Sequence, residues 1–445
     1  MEFEVLKRSH IKRGIVIGVV VVFIISAIIL NFTRAKYRVS DSVPIINSEI
    51  NYKVPDLNMV SLYVANEEGV YEEADTIPSS GYTLNIEQSY CGRSNNGEIV
   101  KDDTVSIIYE NGQVNVLGLT KKGTKCYLYF DIEDETSGEQ ILENYPTVLT
   151  RNDFSTIVKD ATTGTIYYAD TSKGRTFYFA GNPTDNWVQF AGFYWRIIRV
   201  NEDGSVRMIY QGTSANTTGA NTQIQESTFS INSNTYKNNA YVGYMYALNA
   251  VHGLTTNSGI KRVLDTWYEN NLQINYAQYL SKKAGFCGDR QPSTSSSTSN
   301  GQGGTGTTPT YYGAYIRLVN SSKNPTFDCQ NSSDLYTVAS SSQGNKALDY
   351  PIGLITADEV AYAGGVWNTA NSGYYLYTGR VYWTMSPSNF HTNGTAYVYY
   401  VNGNGSLNDD SVPTLINVRP VINLSPDVTI TGSGTSTDPY TVVEA

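Results

Sequence analysis

The side chains of this protein that could do chemistry are few and far apart. Its three histidines are His10, His252 and His391. None of them belongs to an HExxH or GxSxG pattern, or to a zinc-ligand spacing, that would make a base, a nucleophile's partner or a metal ligand. A Ser-His-Asp arrangement assembles across a fold rather than along a chain, so the sequence leaves a triad through His252 or His391 open. Gly301-Gln302-Gly303-Gly304-Thr305-Gly306 spells GxGxxG. It lacks the preceding strand and following helix that would cradle a pyrophosphate, and so carries no dinucleotide site. The four cysteines are Cys91, Cys126, Cys287 and Cys329, none in a CxxC pair. An even set without metal-ligand spacing suits two disulfides in an oxidising compartment. Arg196, Arg199 and Arg419 lie in otherwise apolar runs and are expected to pair with carboxylates such as Glu202 or Asp358.

The elements around these residues read as mostly extended, behind one apolar segment. Residues 14–32 contain IVIGVVVVFIISAIIL and no charge, and as a helix would rise about 28 Å, near the ~30 Å of a bilayer core. They are expected to form a transmembrane signal-anchor in the lipid bilayer, since no small-x-small cleavage site follows. Lys7, Arg8, Lys12 and Arg13 precede it and Arg34, Lys36 and Arg38 follow. With the cysteines all beyond the span, this places a cytoplasmic tail at 1–13 and the rest outside a cell membrane. Residues 33–58 read as a stalk. Residues 59–136 read as a small β-sandwich, with a hairpin across Asn111-Gly112 and a Cys91–Cys126 bridge worth about 3–4 kcal/mol. After a connector at 137–160 come aromatic strands such as Phe193–Val200. A helix is expected around Ile260, Val263, Leu264 and Trp267 with Ser258 as its cap. Gln291 to Pro309 has the Ser/Thr/Gly composition of a mobile loop, its base pinned by Cys287 and Cys329. Thr356-Ala357-Asp358-Glu359 is a capping box.

Composition narrows the function. Only 16% of residues are charged, 36 are Tyr and 38 Gly, and the net charge is -10. That balance excludes a nucleic-acid partner, which needs a basic face. With 40% hydrophobic residues the chain can bury a sizeable core. Seven basic and two acidic residues fall within 1–38, so the remainder is more acidic than the whole.

The C-terminal strands carry a resemblance. Tyr382-Trp383-Thr384-Met385-Ser386, Ala396-Tyr397-Val398 and Val418-Arg419-Pro420-Val421-Ile422-Asn423-Leu424 resemble the end of C-type-lectin-like folds. The branch is the one that includes formylglycine-generating enzymes and the variable proteins of diversity-generating retroelements. Asn186-Trp187-Val188, Tyr194–Arg199, Phe286–Arg290 and Gly353–Val360 are similar to a group of membrane-anchored surface proteins of Gram-positive and wall-less gut bacteria. The resemblance covers about residues 150–440. It implies an α+β fold: a C-type-lectin-like domain at 161–431, with a twisted antiparallel sheet and flanking helices. The small β-sandwich and the transmembrane helix precede it, and a tail strand at 432–445 follows.

In that fold, irregular loops form a binding face. Here they correspond to 387–395, 402–415 and the polar stretch 211–234. The candidate ligand-binding residues are Ser388, Asn389, His391, Asn393, Asn402, Asn404, Asn408, Asp409 and Asp410. The reading is adhesion or recognition of an extracellular glycan or protein, without catalysis, cofactor or metal. The calcium–sugar motifs of the lectins are absent: Ser386-Pro387-Ser388-Asn389 stands where Glu-Pro-Asn or Gln-Pro-Asp would, and no Trp-Asn-Asp follows. Two alternatives remain. One is an oxidase of the formylglycine-generating type, which requires Cys287 and Cys329 as free, copper-binding thiols. The other is a structural component of a surface assembly.

Overall fold

The computed structural model describes residues 59–443, except 67–68, 79–80, 96–97, 111–112, 119–122, 133–134, 233–235, 295–301, 321–322 and 340–343. The chain divides into two compact units, Met1–Asp134 and Glu135–Ala445.

The strand Lys125–Ile132 organises the first unit. Its residues alternate between the two faces, with Cys126, Leu128 and Phe130 buried and Tyr127 and Tyr129 half-exposed. This is the two-residue period of a sheet with one solvated face. It pairs in parallel with Met59–Ala65 and in antiparallel fashion with Tyr90–Asn95 and Tyr82–Leu84. The hairpin of Ser106–Glu110 and Gln113–Leu117 forms its own two-stranded sheet, and Val114 and Val116 complete a core with Leu62, Leu84 and Leu128. Cys91 and Cys126 are opposite one another in register and bonded. On the open face, cross-strand tyrosines stack in pairs, Tyr63 on Tyr129 at 4.9 Å and Tyr90 on Tyr127 at 5.0 Å.

The second unit is built on two sheets. The larger has nine strands, centred on Phe193–Val200 between Trp187–Phe190, Gly174–Tyr178 and Val206–Gly212. Val421–Leu424 pairs with Val206–Gly212, and the terminal strand Tyr440–Val442 joins beside Trp187–Phe190. The smaller has six strands, with Ile416–Val418, Tyr382–Phe390, Ala396–Val401 and Leu407–Ser411 side by side, and Thr310–Tyr311 also paired to Tyr382–Phe390. One core runs beneath both, including Trp195, Met208, Leu354, Trp383 and Val421.

Several expectations change. The described residues are mostly β, 37% strand and 13% helix, so the α+β class with flanking helices is corrected to a mainly β fold. The reason lies in long-range pairing: aromatic and β-branched runs find partners far along the chain. The segment 14–32 and the stalk lie outside the described residues. Among the described residues no helix is long and apolar enough to cross a membrane. The longest, Gly259–Asn271, rises only about 20 Å and is amphipathic. The described residues therefore lend no support to the transmembrane signal-anchor, the cytoplasmic N-terminus or the single-pass cell-membrane location. Hydropathy measures how well a segment would suit lipid, not whether it forms a spanning helix. The connector 137–160 is part of the second unit: helix Ser137–Leu142 is capped by Thr136, and Thr147–Leu149 adds a strand to the larger sheet.

The Gly259–Asn271 helix starts at Ser258, whose hydroxyl accepts from the Lys261 backbone N–H. It buries Ile260, Leu264 and Tyr268, while Val263 and Trp267 are only partly covered. The run 302–309, expected to be mobile, is held in place. Asn239 Nδ2 donates to the Thr308 carbonyl at 2.6 Å, and Gly304 N donates to Thr310 Oγ1 at 2.9 Å. Backbone hydrogen bonding does there what side-chain packing cannot.

Candidate functional site

The strand Tyr382–Phe390 is buried along its whole length. Next to Ala396–Val401 its register slips: Pro387 faces Val398 and Asn389 faces Tyr397. Two steps on one strand against one on the other is a β-bulge with Ser388 as the extra residue. Pro387 has no N–H to give a ladder, and bulges are where a strand tolerates proline.

The bulge directs two neighbouring polar side chains to one acceptor. Ser388 Oγ donates to Asp409 Oδ2 at 2.6 Å, and Asn389 Nδ2 donates to the same oxygen at 3.0 Å. Asn389 Nδ2 also lies 2.9 Å from Ser388 Oγ. Asp409 comes from the next strand but one, Leu407–Ser411, opposite Tyr399. Burial raises the Asp409 carboxyl above its ordinary value and neighbouring Asp410 adds to this, against the hydrogen bonds from Ser388 and Asn389. Tyr399 is fully buried, and desolvation raises its phenol against a hydrogen bond with Ser388. Asn389 Oδ1 is likewise buried without a partner.

Two tyrosines line the cluster. Tyr311 faces Asn389 across the strand pair, and Tyr315 lies one turn into helix Gly313–Leu318. Their rings are 4.1 Å apart, tilted by 35°, and both are half-exposed. Burial pushes the Tyr315 phenol up to about 12, helped by Tyr311 and Asp409. The site is thus a polar trio, Ser388 and Asn389 buried and Asp409 partly so, behind two half-exposed aromatic rings.

Of the nine residues expected to bind ligand, the structure brings Ser388, Asn389 and Asp409 together. Asn402, Asn404 and Asn408 serve the hairpin instead. Asn402 Oδ1 accepts from Gly403 N at 2.7 Å, Asn404 Oδ1 accepts from Ser406 N at 3.0 Å, and Asn408 Oδ1 accepts from Ser406 Oγ at 2.5 Å. Gly405 closes that turn at φ 82°, where a Cβ would stand 1.9 Å from the Asn371 carbonyl. His391 and Asn393 occupy a separate exposed turn, in which Asn393 Oδ1 accepts from Thr395 N. Asp410 Oδ1 accepts from Ser411 N and Thr414 Oγ1. Tyr311, Tyr315 and Tyr399 were not anticipated. Tyr399 alternates with Tyr397 in a recognisable strand, but nothing near Tyr311 in the sequence announces that it pairs with residue 389.

The arginines also depart from expectation. Arg199 lies 3.2 Å from Glu359 and 3.9 Å from Glu202. Arg196 instead donates to Asn186 Oδ1 and the Pro183 carbonyl and stacks on Trp187. Arg419, fully buried, donates to the Tyr210 and Leu376 carbonyls and Gln211 Oε1. Gln211, the start of one expected binding loop, is thereby committed to the interior. Asp358 pairs with Arg317.

His252 lies 3.0 Å from Asp334, which also takes two hydrogen bonds from the Arg290 guanidinium and one from its backbone N–H. The remaining Arg290 nitrogen donates to the carbonyls of Met245 and Gly253. Cys287 and Cys329 are bonded to each other, so the pair of thiolates that an oxidase would need is committed to a bridge. No protein-family model, curated protein or solved structure matches this chain.

Proposed function

We propose that the second unit is a recognition module that binds a hydroxyl-rich ligand, a glycan before a protein, without chemistry of its own. The observation that carries this reading is the Ser388–Asn389–Asp409 trio behind Tyr311 and Tyr315. A buried polar cluster lowers stability relative to well-packed apolar residues, so its presence at a half-exposed place favours a role beyond folding. Tyrosine gives contact area at small entropic cost, and Ser and Asn give adaptable hydrogen bonding. The resemblance of the C-terminal strands to C-type-lectin-like folds supports the same reading, with one change. The contacts fall inside the ranges 387–395 and 402–415, but on strands and a bulge rather than on loops.

The full chain should be screened on glycan and protein arrays beside two variants. Ser388→Ala/Asp409→Ala removes the trio, and His391→Ala/Asn393→Ala alters the separate exposed turn. Binding lost only in the first variant, with its melting transition retained, is the expected result. A ligand that survives the first variant and is lost in the second would refute this assignment.

A further inference from the structure

Asp409 stands apart from the other carboxylates that the second unit withdraws from water. Asp334 is paired with Arg290, Asp289 and Asp358 with Arg317, Glu359 with Arg207 and Arg199, and Asp265 with Lys261. Among the described residues, none of the ion pairs involves Asp409, although it lies beside a second acid, Asp410. Asp185 shares that lack, but it is only 5% exposed and its Oδ2 accepts from the Gly164 backbone N–H. Asp409 keeps partial access to solvent next to half-exposed Tyr311 and Tyr315.

The unspent polar atom beside it is an acceptor. The Asn389 side chain spends its N–H donors on Asp409 and Ser388, which leaves Oδ1 without a partner. Asn389 is 7% exposed. A carboxylate and an amide oxygen without a matching cation concentrate negative potential where Asp409 reaches the surface. An anion would be repelled there. A calcium ion wants six to eight oxygens, and among the described residues no group of three or more His, Cys, Asp or Glu could hold a metal. A primary ammonium fits: it brings three N–H donors and a charge, and aromatic faces such as those of Tyr311 and Tyr315 attract it.

We infer that this site selects a glycan bearing a free amino group, held by Asp409 with Tyr311 and Tyr315 beside it. The inference rests on the recognition reading above and adds the class of ligand. Desolvation of the Asp409 carboxylate agrees with it, because a bound cation supplies the compensation that the fold omits.

The test is calorimetric titration of the full chain with a short oligomer of glucosamine and with its fully N-acetylated counterpart. Work at 0.15 M salt screens the general attraction of an acidic protein for a cation. The free-amine oligomer should bind at least about ten-fold more tightly, a preference of about 1.4 kcal/mol. Asp409→Asn, which can still accept from Ser388 and Asn389, should abolish that preference without lowering the melting temperature. Asp410→Asn should retain it. Equal binding of the two oligomers, or a preference that survives Asp409→Asn, would overturn the inference. Failure of both oligomers while other glycans bind the trio would overturn it and leave the recognition reading standing. If no glycan or protein binds the full chain, both readings fall.

Discussion

Asp409 and Asp334 are carboxylates taken from water by one unit, and their surroundings push them in opposite directions. Burial raises Asp409, with Asp410 adding to it. Burial also acts to raise Asp334, but the His252 hydrogen bond and the Arg290 charge outweigh it, so that carboxyl is lowered. For Asp409, the folded state holds its proton more tightly than the unfolded chain does. Its contribution to stability is therefore greatest below the unfolded carboxyl range and declines as pH rises through its folded value. Asp409→Asn removes that decline. Thermal melts should show the variant more stable than the parent at pH 7, and the two converging near pH 3. Asp334 has the opposite sign: its stabilisation is present above the unfolded carboxyl range and is lost as pH falls through its lowered value. Asp334→Ala strands a buried guanidinium and should cost about 3–5 kcal/mol in denaturant unfolding at pH 7. Residue types alone did not separate these two acids, because each takes hydrogen bonds from partners twenty or more positions away.

Helix Ala357–Ala363 shows a local signal put to a second use. Its capping box is complete: Thr356 Oγ1 accepts from Glu359 N, and Glu359 Oε2 accepts from Thr356 N. The other carboxylate oxygen, Oε1, lies 2.5 Å from Arg207 Nε and 3.2 Å from Arg199 Nε. The cap thus ties a short helix to the centre of the larger sheet. Thr356→Ala should cost about 1 kcal/mol, the usual value of an N-cap. Glu359→Ala should cost about 3–5 kcal/mol, since it also uncovers the buried Arg207 guanidinium and the partly buried one of Arg199; equal losses in urea titrations would show that the arginines find other partners. The box was legible because a cap depends on residues three apart. The bulge at Ser388 was not, because register belongs to two strands at once. For the same reason Ser388 and Asn389, placed in a loop by their turn-forming chemistry, lie inside a strand: Asn389 finds partners in Tyr311 and Tyr397 that outweigh local preference.

At the scale of the whole molecule, the first unit has its own core around Leu62, Leu128 and Phe130, and the second has its own around Trp195, Trp383 and Val421. Each disulfide lies within one unit. Calorimetry of the full chain should therefore resolve two transitions. Cys91→Ala/Cys126→Ala should lower only one of them, by about 3–4 kcal/mol from the loop of 35 residues that it reopens. A shift of both transitions would show that the units unfold as one. The sequence by itself determined what depends on short range and on residue chemistry: an even cysteine set, the capped helix after Ser258, the capping box at Thr356, and strands with a two-residue period. It also determined the net charge of -10. Only the tertiary structure decided which polar residues meet. Ser388, Asn389 and Asp409 were three of nine candidates, and a one-residue slip against Ala396–Val401 gathered them while Asn402, Asn404 and Asn408 were used in making a turn. Side-chain chemistry is carried residue by residue, but a site is a set of distances, and those are set by strand register, which no single stretch of chain contains.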